Sequence, residues 1–324
     1  MSEPTIRVLS LGAGVQSTTL LLMACEGKFV PGLDAAIFAD TGWEPRRVYE
    51  HLNRITTVAA DAGIPVIRVS KGNLREDAIN PQHRYASIPY FVQNKPGPCK
   101  PCNGKRGDKE CSRCRGTGWD DGKGMGRRQC TSEYKLAAIN LKNRELLGAK
   151  APDFRRVPKG RIAEVWVGFS TDEIGRVNDR SPGYIHVRHP LLELGMDRKA
   201  CERWLRSRGW TSVEKSACIG CPYHGNRQWR DLRDNHPDEW ADAVAFDEAI
   251  RKGGARGLPL NSEAFLHSSR VPLSIAPIDR VTSAEWKSRQ GNLLDVIADA
   301  EFEEDGHPDG CSPYGCRSGQ AVTA

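Results

Sequence analysis

No stretch of the chain approaches the roughly 18 consecutive apolar residues that a bilayer-spanning helix needs; the best run, Leu20 to Cys25, is far shorter. The N-terminus, MSEPTIRVLSLG, lacks a basic segment followed by an apolar core and a cleavage site, so a secretory leader is not expected and a cytoplasmic location is the default. There is no internal repeat and no large excess of one charge. Lys and Arg number 47 against 41 Asp and Glu, a net charge of +6 with a pI near 8.7. That mild basicity suits a phosphorylated ligand or nucleic acid, and equally an ordinary solvated surface. With 39% hydrophobic and 27% charged residues, the 324-residue chain has material for a sizeable core, which excludes a wholly disordered protein. The length suits about two domains, or one large domain with insertions.

What the chain has in quantity is cysteine. The 11 cysteines are Cys25, Cys99, Cys102, Cys111, Cys114, Cys130, Cys201, Cys218, Cys221, Cys311 and Cys316. Without a secretion signal they point to metal or redox chemistry rather than to a disulfide framework. Three pairs share the C-x-x-C spacing, which lets two thiolates reach one metal from a tight turn. Cys25 and Cys201 fall inside helical patterns and read as core residues.

The pattern of elements indicates an α/β protein. A short β-rich run at 5–11 ends in Gly12-Ala13-Gly14, and a helix follows from Ser17 to Cys25, with Ser17 suited to capping it. A second strand, Ala35 to Ala39, precedes Asp40-Thr41-Gly42; a helix from about Pro45 to Ala62 and a third strand from Pro65 to Ser70 come next. Strands alternating with helices predict a mostly parallel sheet flanked by helices. Further along, a helix is expected over 131–147, a strand over 162–169, a strand and turn over 184–194, and a helix N-capped by Asp197 and ended by Gly209. Trp229, Trp240 and Phe246 at helical spacing read as packing, and another helix is expected at 283–300.

The loop Leu11-Gly12-Ala13-Gly14-Val15-Gln16-Ser17-Thr18 joins the first strand to the first helix. Glycines there allow close approach of a phosphate, and the helix N-terminus offers N–H groups and the positive end of its dipole. The loop is neither a Walker A motif nor a G-x-G-x-x-G fingerprint. It is similar to the S-G-G-x-D-S phosphate loop of the adenine nucleotide α-hydrolase superfamily, which includes the PP-loop ATP pyrophosphatases. Asp40-Thr41-Gly42 resembles the D-T-G of the phosphoadenosine phosphosulfate (PAPS) reductases. Gly168-Phe169-Ser170-Thr171-Asp172-Glu173, with Arg176 and Arg180, resembles that family's later glycine, acidic and arginine segment; His189-Pro190-Leu191-Leu192 sits where the family has a P-L turn. The segment from Cys218 to Ile250 resembles phage-encoded members. The likeness covers roughly residues 5–225. Gly12 stands at the first Ser position and Gln16 at the Asp, so the loop carries no carboxylate. The resemblance implies a nucleotide site on Ser10, Gly12, Ala13, Gly14, Gln16, Ser17, Thr18, Asp40, Thr41, Gly42, Gly168, Ser170, Asp172, Glu173, Arg176 and Arg180.

Cys99-x-x-Cys102 and Cys111-x-x-Cys114, eight residues apart, predict a zinc held by four cysteines, since a stretch almost free of aliphatic residues needs a metal to order it. Cys111–Gly118 also resembles the C-x-x-C-x-G-x-G repeat of J-domain chaperone zinc modules. Lys100, Lys105, Arg106, Lys109, Arg113 and Arg115 make this a basic knuckle, able to grip a nucleic-acid backbone or simply solvating the loop. Cys130, Cys218 and Cys221 resemble the ligand set of the [4Fe-4S] branch of the reductases; the alternative is a second zinc site with His224 as fourth ligand. Three cysteines would leave one iron open, as in PP-loop enzymes that thiolate tRNA, or Cys311 or Cys316 would complete the set.

The expected organisation is a nucleotide-binding α/β domain at 1–94 and 129–210, a zinc-knuckle insertion at 95–128, a helical cysteine-bearing region at 211–300, and a tail at 301–324. The resemblance implies a PAPS reductase-like enzyme that reduces PAPS or adenosine phosphosulfate (APS) to sulfite, with Cys311 or Cys316 as nucleophile and a thioredoxin-like or other thiol donor as partner. The runner-up is an ATP-dependent enzyme that thiolates or otherwise modifies tRNA or another nucleic acid. A third reading is a non-catalytic nucleotide-binding protein. No membrane partner is expected.

Overall fold

The computed structural model describes residues 3–83, 88–107, 109, 111, 113–126, 128–177, 181–213, 215–253, 262–283 and 285–286. Along the chain run β1 (Ile6–Leu11), α1 (Val15–Cys25), β2 (Ala35–Asp40), α2 (Arg46–Asp61), β3 (Val66–Ser70) and α3 (Leu74–Ile79). Short strands follow: β4 (Phe91–Gln93), β5 (Gly97–Pro98), β6 (Trp119–Asp120) and β7 (Lys123–Met125). Then come α4 (Ala137–Leu146), β8 (Ala163–Val167), β9 (Ile185–Arg188), α5 (Pro190–Glu193), α6 (Arg198–Arg206), α7 (Asn226–Asn235), α8 (Pro237–Ala249) and β10 (Glu263–Phe265). The described residues fall into two compact units, one built on Met1–Leu74 and Cys130–Ile219, the other on Arg75–Gln129 and Gly220–Arg280.

The first unit is an α/β layer structure whose sheet has the order β3-β2-β1-β8-β9, every pairing parallel. The inner strands β1, β2 and β8 are covered on both faces, which is why they read as nearly continuous apolar runs, whereas the edge strands β3 and β9 are only partly buried. Alternation sorts the side chains. Leu9, Leu11, Ala36, Phe38 and Trp166 join a core with Leu20, Leu21, Leu52, Ile55 and Leu205 from α1, α2 and α6. Val8, Ala35, Ile37, Val165 and Val167 face the other way, onto Ile139 of α4. The expected Asp197 cap is present, its carboxylate accepting from the Ala200 N–H at 2.6 Å, and Gly209 beyond the helix has φ +77°.

Two local expectations shift. Helix α1 starts at Val15 with Gly14 as its extended N-cap residue, so Ser17 lies within the first turn rather than capping it. The 131–147 segment opens with a π-helical turn, Thr131–Leu136, before α4 takes over.

The second unit holds a three-stranded antiparallel sheet, β10-β4-β7, and the β5–β6 ribbon. Asp247 of α8 is fully buried and organises this unit, accepting from the Leu266 N–H at 2.7 Å and the Leu273 N–H at 3.0 Å. Trp229 and Phe246 are fully buried and Trp240 meets Trp229 edge to face, a packing role. The helix expected at 283–300 lies largely outside the described residues, as does the tail at 301–324.

Candidate functional site

In the first unit the chain builds outward from β1 through β2 to β3, then crosses to the other side of β1 to add β8 and β9. The strand order therefore reverses between β1 and β8, and the loops leaving the carboxyl ends of those two strands lie side by side there. In open parallel sheets such a crevice is where ligands bind. Both loops were singled out from sequence.

The β1 loop is shaped for close backbone approach. Ala13 has φ +57°, a left-handed conformation that costs a non-glycine residue about 1 kcal/mol. The Ser17 hydroxyl folds back on the loop, accepting from the Gly12 N–H at 3.2 Å and donating to the Gly14 carbonyl at 3.3 Å. No side chain caps the N-terminus of α1, which leaves its dipole and first N–H groups for something else. Gly168, just past β8, lies tight against this turn. A Cβ there would sit 3.0 Å from the Ser17 nitrogen and 3.2 Å from Gln16 carbonyl carbon. Any larger side chain there would crowd the backbone of the β1 loop.

Gln16 spans the crevice. Its amide nitrogen donates to Ser170 Oγ and to Glu173 Oε2, both at 3.3 Å. Glu173 pairs in turn with Arg176, whose guanidinium lies over the Phe169 ring at 5.0 Å. Ser170, Glu173 and Arg176 are all buried. Burial pushes the Glu173 carboxyl above its ordinary range, and Arg176 only partly offsets this. The loop thus meets a carboxylate after all, contributed by the β8 side rather than by position 16. Asp172 is engaged differently, accepting from the Arg198 N–H at the start of α6 at 3.0 Å. Thr18 Oγ1 is bound to His51 Nε2 at 2.9 Å, and Ser10 is buried with its hydroxyl unpartnered among the described residues. Arg180, Cys311 and Cys316 lie outside the described residues.

The Asp40-Thr41-Gly42 turn follows β2. Asp40 accepts from the Gly42 N–H at 2.8 Å and from the Tyr49 hydroxyl at 2.7 Å; burial and then the Asp40 carboxylate drive the Tyr49 pKa up. Gly42 needs its freedom, with φ +71° and Asn73 within 3.2 Å of where a Cβ would be. Thr41 is fully buried, and its hydroxyl contacts Glu44 Oε1 at 3.2 Å and Cys218 Sγ at 3.3 Å. Glu44 Oε1 also receives Lys135 Nζ at 3.2 Å and the Cys218 thiol at 3.7 Å. The Glu44 and Lys135 side chains are 0% and 5% exposed, and Glu44 Oε2 has no partner among the described residues. Sequence reasoning missed Glu44, Lys135 and His51; the one available signal was a charged residue directly after an apolar Trp43. Of the cysteines expected to share an iron–sulfur site, Cys218 and Cys221 are buried and Cys130 is half-buried.

The second unit contains the clearest ligand set. Among the described residues, Cys99, Cys102, Cys111 and Cys114 form the group whose ligand atoms all lie within 4.8 Å of one another, and all four are buried. Two turns present them: the Gly104 N–H donates to the Cys99 carbonyl at 2.8 Å, and the Arg115 N–H to the Cys111 carbonyl at 2.8 Å. Gly118 admits no side chain, because a Cβ would fall 2.4 Å from the Gly104 carbonyl oxygen. Burial lifts the Cys99 thiol to about 12. At Cys114 burial is outweighed by the Gly118 and Gly116 backbone and by the neighbouring thiols, bringing it to about 6. These four sulfurs with no apolar neighbours in their cluster fit metal binding. No helix among the described residues is long and apolar enough to cross a membrane.

Compared with family models, curated proteins and solved structures, the chain matches none.

Proposed function

We propose that the protein is an adenine nucleotide-binding enzyme of the PP-loop type, with its nucleotide in the crevice between the β1 and β8 loops. More particularly, we read it as a PAPS reductase-like enzyme that reduces PAPS or APS to sulfite. The observation that carries the nucleotide reading is the meeting of an uncapped α1 N-terminus with the glycine-tight β8 loop at the reversal of strand order. The sulfur chemistry rests on the D-T-G and later acidic–arginine motifs and on the tail cysteines.

In this reading the α1 N–H groups and Arg176 hold phosphate or sulfate. Gln16, fixed to Ser170 and Glu173, orients the ligand without adding a charge of its own. A thiolate, Cys311 or Cys316, attacks the sulfonyl sulfur, and the bond from that sulfur to the nucleotide phosphate oxygen breaks. The nucleotide leaves with the electron pair. A dithiol of thioredoxin type then reduces the S-sulfonated cysteine, releasing sulfite, restoring the thiol and ending as a disulfide.

The knuckle metal is proposed to be a structural zinc. A zinc–sulfur distance of about 2.3 Å gives a tetrahedron edge of about 3.8 Å. The Cys99–Cys111 and Cys102–Cys114 sulfur separations are 3.7 and 3.5 Å, suited to one ion rather than to a multi-iron cube.

The test is sulfite release from PAPS and from APS by anaerobically prepared protein with a dithiol donor. Release from either supports the reading and identifies the nucleotide. Tight nucleotide binding without sulfite from either would overturn the reductase reading and leave ATP-dependent modification of another substrate.

A further inference from the structure

The charge of the chain is not spread evenly. Residues 95–128 contain ten Lys and Arg against four Asp and Glu, so this one segment accounts for the whole net charge of +6. The remaining 290 residues are balanced. Within the segment, Lys100, Lys105, Arg106, Lys109 and Arg115 are exposed, and none forms an ion pair with another described residue. Arg113 behaves differently, tied to Asp120 at 2.7 Å as part of the knuckle's frame.

An aromatic side chain lies in the same module. Trp119 of β6 is 55% exposed, in the same module as the five exposed cations. Its backbone is held firmly. Thr117 Oγ1 accepts from the Trp119 N–H at 3.3 Å and donates to its carbonyl at 3.1 Å, and Pro98 lies opposite it in the ribbon. The cysteine cluster anchors the end of this short ribbon that carries Trp119, where the Cys99 N–H donates to the Gly118 carbonyl at 2.9 Å. The ring is therefore presented by a scaffold that does not collapse over it.

We propose that this cysteine-anchored module is a docking surface for single-stranded nucleic acid. The exposed cations would neutralise successive phosphates, and an unpaired base would stack on Trp119. A duplex hides its base faces in the stack, so the indole favours a single strand. The proposal does not depend on which nucleotide binds at the β1 and β8 loops.

The experiment is fluorescence anisotropy with labelled single strands of about 20 nucleotides, DNA and RNA, and the matching duplex, on the full chain. Five phosphate contacts at about 0.7 each give a salt slope near −3.5, so affinity should fall about 100-fold between about 50 and about 200 mM salt. W119A should weaken single-strand binding roughly 5- to 100-fold, the usual range for one lost stacking contact, with its metal content unchanged. K105E/R106E should weaken it and flatten the slope, while G168V, aimed at the nucleotide crevice, should leave it unaltered. Absence of single-strand binding at the lower salt, or equal binding of W119A and the parent protein, would overturn the proposal. So would duplex binding as tight as that of the single strand.

Discussion

Replacing Lys135 by methionine isolates the energetics of the buried pair behind the Asp40-Thr41-Gly42 turn. The Glu44 carboxylate and the Lys135 ammonium stand 3.2 Å apart with almost no solvent contact. At an effective dielectric near 20, that spacing corresponds to an attraction of about 5 kcal/mol, set against a desolvation cost of several kcal/mol for each ion. K135M keeps the volume of the side chain but strands the carboxylate. Among the described residues Glu44 Oε2 is already without a partner, and Oε1 would keep the Thr41 hydroxyl and the Cys218 thiol. The expected loss is about 3 to 5 kcal/mol. With a urea m-value of about 3 kcal/mol/M, the unfolding midpoint of the first unit should fall by about 1 to 1.7 M. The double variant E44L/K135M removes both charges and should recover most of that loss, giving a large favourable coupling in a double-mutant cycle. The assay is urea unfolding followed by tryptophan fluorescence. A midpoint shift for K135M below about 0.3 M would refute the reasoning, because it would mean that the carboxylate is solvated or protonated at little cost.

Three further outcomes follow from particular contacts. G168V should weaken adenine nucleotide binding by at least about tenfold, since its side chain meets the Ser17 and Gln16 backbone at 3.0 to 3.2 Å; calorimetric titration showing unchanged affinity would separate the crevice from nucleotide binding. C114S should remove one equivalent of metal and unfold the knuckle without changing the urea transition of the first unit, checked by elemental analysis; full metal retention would show that the four-cysteine set is not the ligand shell. His51 is held down to about 4 by burial and by Arg54, so the unfolded chain takes up its proton first as pH falls. Stability present above about 6.5 should decline as pH drops toward 4, by about 3 kcal/mol in full, and H51N should flatten that slope in stability-versus-pH measurements.

Much of the architecture follows from local pattern. Strands with both faces apolar, separated by amphipathic helices, call for a parallel sheet with helices on either side, because only that arrangement buries Val8 and Leu9 at once. The two C-x-x-C turns bring their thiols together because three-residue spacing in a tight turn is itself a geometric constraint. The Asp197 cap is local in the same way. Tertiary structure alone decided how distant polar groups were shared out. Gln16 finds Ser170 and Glu173 more than 150 residues away, Thr41 meets Cys218 across 177 residues, and Glu44 takes its cation from Lys135. Asp172, which reads as a ligand group beside Glu173, also accepts a bond from the first turn of α6, 26 residues on. Spacing along a chain specifies which face a side chain occupies; which partner waits there depends on strand order, and the order β3-β2-β1-β8-β9 exists only in the folded molecule.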